Sequence, residues 1–351
     1  MAAVARSATL LGLLSAAPPR TALFGIRHCT EPRTSRRIVA LFGLGVAVGA
    51  LLPACAAINR QNAIVSEIQH VQIQASGFTF DARVAGPEDG PLVLLLHGFP
   101  QSSYEWRAQI PVLAEMGFRV VAPDQRGYSP GARPAGVDSY TIPHLVGDVV
   151  EIADAFGARQ FHVVGHDWGA AVAWYTGLTH PERVLSLVPI SVPHPFAFGQ
   201  ALSNPEGEQA QRSGYMEMFR SDTAEATFLA DDASALRSIY GGSGLTADEI
   251  EEYVRLLSEP GALTGALNWY RAMLLPSSGS ATALTPISMP TMYVWSDADV
   301  ALGREGAELT ENFVQGPYRF EVLRGIGHWV PEQAPDQLNA LLGEHFEAFV
   351  P

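Results

Sequence analysis

Apolar positions from about Ile68 onward fall into two recurring rhythms. Ile68 to Ile73 and Phe78 to Val84 alternate loosely on either side of Gly77, as an antiparallel strand pair does. Leu92 to Leu96 is a continuous apolar run, the mark of a strand covered on both faces. Arg119 to Asp124, Phe161 to Gly165 and Val184 to Ile190 repeat the strand signal. Between them, Tyr104 to Met116 has helical spacing. Ile142 to Phe156 reads as an amphipathic helix with Leu145, Val149, Ile152 and Phe156 on its apolar face. Strands and helices alternate at βαβ spacing, which predicts a mainly parallel sheet. The alternation stops near Val192 and resumes at Thr291 to Trp295, then a helix, Tyr318 to Leu323, and a final helix from Pro335 to Val350. The intervening stretch has no clear strand. The expected fold is α/β: an eight-stranded, mostly parallel sheet built from 63–191 and 286–351, with a helical cap inserted at 192–285.

One junction carries candidate chemistry. Phe161-His162-Val163-Val164-Gly165 runs into His166-Asp167-Trp168-Gly169-Ala170, and an apolar helix follows. This is the strand–turn–helix nucleophile elbow, G-x-S-x-G, with Asp167 in the serine's place. The turn is tight, so its flanks must be small. A carboxylate there attacks saturated carbon and becomes an alkyl ester, which activated water must then hydrolyse. That suits an epoxide or alkyl halide, and the absent serine argues against a carboxylesterase.

The second step needs a base and an acid to orient it. Gly325-Ile326-Gly327-His328-Trp329 follows the last strand, placing His328 in a loop at the carboxyl edge of the sheet. Asp297 and Asp299 follow the preceding strand at that edge, and spacing does not choose between them. Nucleophile, acid and histidine then fall in α/β-hydrolase order. In that architecture the backbone N–H groups of Trp168 and Phe99 form the oxyanion hole.

Taken together, these motifs resemble the epoxide hydrolases of the α/β-hydrolase fold, over essentially the whole chain after about Val65. His97-Gly98-Phe99-Pro100 is similar to their oxyanion motif, Gly165-His166-Asp167-Trp168-Gly169 to their nucleophile motif and Gly327-His328-Trp329 to their base motif. Leu267-Asn268-Trp269-Tyr270-Arg271 resembles the cap segment with one epoxide-activating tyrosine, and Ser213-Gly214-Tyr215-Met216 resembles the place of the other. The family's spacing puts the acid on Asp299. The resemblance implies catalytic Asp167, Asp299, His328, Tyr215 and Tyr270, with water as co-substrate and no cofactor or metal. Haloalkane dehalogenases share the elbow and base, but they commonly carry Asn at the position of Phe99. A binding protein that kept the fold and lost turnover would lack nucleophile, acid or base, and each is present here.

Composition narrows the class. The chain has 351 residues, 47% of them hydrophobic, which is ample for a large single core with an insertion. A formal charge of −14 argues against nucleic-acid binding. Both cysteines, Cys29 and Cys55, lie in the N-terminal region, so the body has no disulfide framework. Residues 1–62 form a leader of different character, with seven arginines against the single acid Glu31. Ser35-Arg36-Arg37 precedes an apolar run from Ile38 to Leu52, as in a twin-arginine export signal. Leu52-Pro53-Ala54-Cys55 resembles a lipoprotein box. The expectation is an exported protein of bacterial type, its leader either simply cleaved or replaced by a membrane tether through Cys55.

Overall fold

The run Leu92–Leu96 forms strand β3, buried along its whole length. Strand alternation sends Leu92, Leu94 and Leu96 into one core and Val93 and Leu95 into the other. The continuous apolar run is thus the signature of a strand with helices on both faces. Fully burying each leucine stabilises the fold by roughly 1.5–3 kcal/mol. The computed structural model describes residues 67–275 and 285–349. The leader expectations, including Arg36-Arg37 and Cys55, lie outside the described residues.

Around β3 an eight-stranded sheet assembles. Its strands are β1 (Gln69–Ala75), β2 (Phe78–Ala85), β3, β4 (Arg119–Pro123), β5 (Phe161–His166), β6 (Val184–Ile190), β7 (Thr291–Ser296) and β8 (Tyr318–Leu323). They lie in the order β1-β2-β4-β3-β5-β6-β7-β8. The pairs β1/β2 and β2/β4 are antiparallel, and every other pair is parallel. The chain leaves β3 toward β4, then recrosses to β5. That reversal makes the carboxyl ends of β3 and β5 the topological switch point, where ligands bind in open α/β sheets.

Helices α1 (Gln109–Glu115) and, at the chain's end, α12 (Pro335–Glu347) cover one face. Their Ile110, Leu113, Leu338, Leu342 and Phe346 fill the core with Val93 and Leu95. Helices α2 (Ile142–Ala155) and α3 (Trp168–Thr179) cover the other. Where one helix was expected from Tyr104 to Met116, a 3-10 turn at Ser103–Ala108 precedes α1. Pro111 has no N–H to donate to the carbonyl four residues back, so the α-helical ladder does not run through.

From β6 to β7 the described residues supply the helices α4 (Pro195–Leu202), α5 (Glu208–Arg212), α6 (Tyr215–Arg220), α7 (Ala224–Ile239, broken at Ala230–Ala233), α8 (Ala247–Leu257) and α9 (Ala262–Ala272), and an isolated bridge from Ile287 to Val314. Among the described residues, none from 192 to 275 joins the sheet. Shorter helices α10 (Arg304–Leu309) and α11 (Val330–Gln333) flank β8.

Candidate active site

Asp167 stands between β5 and α3 at φ 50° and ψ −119°, a conformation non-glycine residues rarely adopt. The elbow holds it there by close approach. A Cβ on Gly165 would lie 2.1 Å from the Gly169 carbonyl oxygen, so the strand and helix could not meet with a larger residue. Gly98, after β3, faces the nucleophile side: a Cβ there would lie 2.4 Å from the Asp167 Cβ. This contact sets Phe99 N–H 2.9 Å from Asp167 Oδ1, to which it donates. Trp168 opens α3, so its N–H has no acceptor within the helix.

The other carboxylate oxygen, Oδ2, lies 3.6 Å from His328 Nε2. On the far side of the ring, His328 Nδ1–H donates to Asp299 Oδ2 at 2.9 Å. Asp299 Oδ1 accepts from the N–H groups of Ala301 at 2.8 Å and Leu302 at 3.0 Å. Asp299 is therefore both aimed and stabilised as an anion. All three side chains are buried. Burial works against the His328 imidazolium, but the Asp299 and Asp167 carboxylates outweigh it and raise its pKa to about 9. Burial also opposes the Asp299 carboxylate, yet His328 and the two backbone donors hold it below its usual range. Asp297, by contrast, is exposed and accepts from Gly325 N–H at 2.6 Å. The geometry thus separates two acids that spacing left equal.

Tyr215, at the start of α6, and Tyr270, in α9, stand with ring centroids 6.5 Å apart. The Tyr270 ring packs edge-on against Trp168 at 5.2 Å and Phe99 at 5.4 Å. Trp269 fixes this helix by donating its indole N–H to the Arg126 carbonyl at 2.9 Å. Burial pushes both phenols up, and the Asp167 charge adds to the shift in each. Both are therefore protonated at neutral pH and able to donate. The cap's other tyrosines are committed elsewhere. Tyr240 O–H donates to the Pro100 carbonyl at 2.6 Å and Tyr253 O–H to Glu332 at 2.5 Å. The structure thus brings Asp167, Asp299, His328, Phe99, Trp168, Tyr215 and Tyr270 together at the carboxyl ends of the strands and leaves the other candidate acid, Asp297, at the surface.

A polar pair behind the elbow had no sequence signal. His166 Nε2–H donates to the His328 carbonyl at 2.8 Å, and its Nδ1 lies 3.0 Å from Glu105 Oε1. Burial lowers the His166 pKa to about 4 and raises that of Glu105 well above the usual range. One proton therefore sits between them, carried by Glu105. The other Glu105 oxygen accepts from Gly98 N–H at 3.2 Å, so the pair ties the Gly98 loop to the His328 loop. Glu105 lies in the 3-10 turn beside Trp106, and nothing local marks it.

The alpha/beta hydrolase fold family matches residues 91–335. The chain is 35% identical over 280 residues to the AB hydrolase superfamily protein YfhM of Bacillus subtilis, covering 78% of this chain and 96% of that one. It is 33% identical over 312 residues to epoxide hydrolase A of Mycobacterium tuberculosis, covering 78% and 95% respectively. The crystal structure of epoxide hydrolase A from Mycobacterium thermoresistibile superposes with a TM-score of 0.71 at 30% identity, over 81% of this chain and 99% of that one.

Proposed function

Because the chain belongs to the epoxide hydrolases of the α/β-hydrolase fold, we propose that it opens an epoxide to a vicinal diol through an ester on Asp167. One observation carries the reading. The Asp167 carboxylate has one oxygen held by Phe99 N–H and the other facing a His328 already paired with Asp299.

Asp167 Oδ2 attacks the less hindered epoxide carbon. The C–O bond of the ring breaks, and Tyr270 and Tyr215 hydrogen-bond the departing oxygen from the cap. A phenol proton converts the alkoxide to a hydroxyl. Esterification cancels the Asp167 charge, which removes one of the influences holding the His328 proton. That proton is released as the phenolate regains its own, so the proton count closes. Neutral His328 then takes a proton from water, and the resulting hydroxide attacks the carboxyl carbon of the ester. Charge develops on Oδ1, where the Phe99 and Trp168 N–H groups receive it. Collapse breaks the bond from the carboxyl carbon to Oδ2, and the leaving alkoxide takes the proton of the newly added hydroxyl. The diol departs with Oδ2, Asp167 is again a carboxylate holding the solvent oxygen, and His328 keeps the proton taken from water.

A single turnover of excess enzyme in heavy-oxygen water therefore yields unlabelled diol and a labelled Asp167 peptide. Label in the diol with none in the peptide would mean direct attack by water, and the ester route would fall. In the same assay, Tyr270→Phe slows ring opening on the order of 10²-fold, the usual scale for a general acid. We further propose that the leader directs export, with cleavage before Cys55 and acylation of its thiol. An intact N-terminus by mass spectrometry of cell-derived protein would exclude it.

A further inference from the structure

Tyr215 and Asp299 belong to different parts of the chain and to different steps of the proposed reaction, yet one side chain touches both the stretch just before Tyr215 and the stretch just after Asp299. Gln209, in α5, is 1% exposed. Its Oε1 accepts from Gly303 N–H at 2.8 Å, and its Nε2 donates to the Ala301 carbonyl at 2.9 Å. Both partners are backbone groups of fixed polarity, so the amide has one orientation here. The loop it grips is the one whose Ala301 and Leu302 N–H groups hold Asp299 Oδ1. The same Nε2 also donates to Ser213 Oγ at 2.9 Å, two residues before Tyr215. Arg212 adds a bond to the Asp299 carbonyl and pairs with Glu208 at 2.6 Å. Gly303 leaves room for this: a Cβ there would lie 3.0 Å from Glu208 Oε2.

We propose that Gln209 is a positioning residue that locks the Asp299 loop and the Tyr215 helix into one unit, so that ring opening and ester hydrolysis both depend on its amide. Removing the amide leaves the loop N–H and carbonyl unpaired and releases both ends at once. The rate measurements rest on the epoxide-opening reading, whereas the titration of His328 needs no substrate.

The test uses the full chain as Gln209→Met and Gln209→Glu. Rapid-quench kinetics with styrene oxide follow ester formation and decay, and histidine NMR follows the His328 pKa. Gln209→Met should slow formation and decay each on the order of 10-fold or more, the scale of a small misplacement. Its His328 pKa should fall by about one unit or more as Asp299 loses its aim. Burial keeps a carboxyl at 209 protonated, able to accept from Gly303 and donate to Ala301 but with no second proton for Ser213, so Gln209→Glu should recover the pKa and most of the decay rate while formation stays slow. Unchanged rates and pKa in Gln209→Met would overturn the proposal. So would equal losses in both variants with His328 unmoved, the pattern of simple destabilisation. Should Gln209→Met fail to fold, Ser213→Ala cuts only the link toward Tyr215. It should slow ester formation alone, and unaltered formation there would likewise overturn the proposal. A wild-type enzyme that opens no epoxide would defeat the functional reading, while the titration still decides the role of Gln209.

Discussion

At the scale of single residues, the site sets two carboxylates against one imidazole. Asp299 holds Nδ1 and is itself held by two backbone N–H groups, whereas Asp167 faces Nε2 with an oxygen that the proposed ester would leave uncharged. The roles are unequal for that reason. Asp299→Asn removes the permanent charge and offers Nδ1 the wrong tautomer, so ester hydrolysis should slow on the order of 10³-fold or more, as for the acid of a Ser-His-Asp triad. Asp297→Asn should change it little, because that side chain only accepts from Gly325 N–H on the surface. Rapid-quench measurement of ester decay separates them, and the reverse ranking would reassign the acid.

Elements matter through the backbone they bring together. The loop after β3 and the turn after β5 meet at the switch point, and Gly98 and Gly165 allow contacts that a single added carbon would block. Phe99 N–H reaches Asp167 only because Gly98 lies against the Asp167 side chain. Gly98→Ala should therefore displace an oxyanion donor and lower turnover on the order of 10²–10³-fold, the usual loss for one such donor. Turnover at the wild-type rate in that variant would mean the loop shifts without consequence. In the cap, α9 and α5–α6 are docked separately, Tyr270 through Trp269 on the Arg126 carbonyl and Tyr215 through Gln209 on the acid loop.

Over the whole molecule, buried histidines set the acid limit. Burial lowers the pKa values of His97, His162, His194 and His345 each to about 4, against 6.5 for a free imidazole. Their neutral forms belong to the fold, so this contribution is complete above pH 6.5 and is lost as pH falls toward 4. His328 has the opposite sign. Raised to about 9, it stabilises below pH 6.5, and that contribution fades as pH climbs through 9. Each depressed group adds a slope of up to about 1.4 kcal/mol per pH unit. Urea unfolding should accordingly give a markedly lower stability at pH 5 than at pH 7. Equal stabilities at the two values would mean that these imidazoles do not stay neutral in the fold.

The amino-acid pattern alone determined the sheet-and-helix order, the elbow and the positions of Asp167 and His328 at strand ends, because each is local. A covered strand is a continuous apolar run, a tight turn needs small flanks, and Asp167 and His328 are placed by a strand end with glycines beside it. The 3-10 turn before α1 was also local, but a single proline outweighed the helical spacing of its neighbours. Tertiary structure alone decided the rest. Asp297 and Asp299 sit two residues apart on one strand end, and only the fold turns one of them toward His328. Glu105 meets His166 across 61 positions of sequence, and Gln209 meets Gly303 across 94. Such hydrogen bonds join side chains to groups far along the chain and leave no periodicity behind, so they exist only once the sheet and its helices have closed.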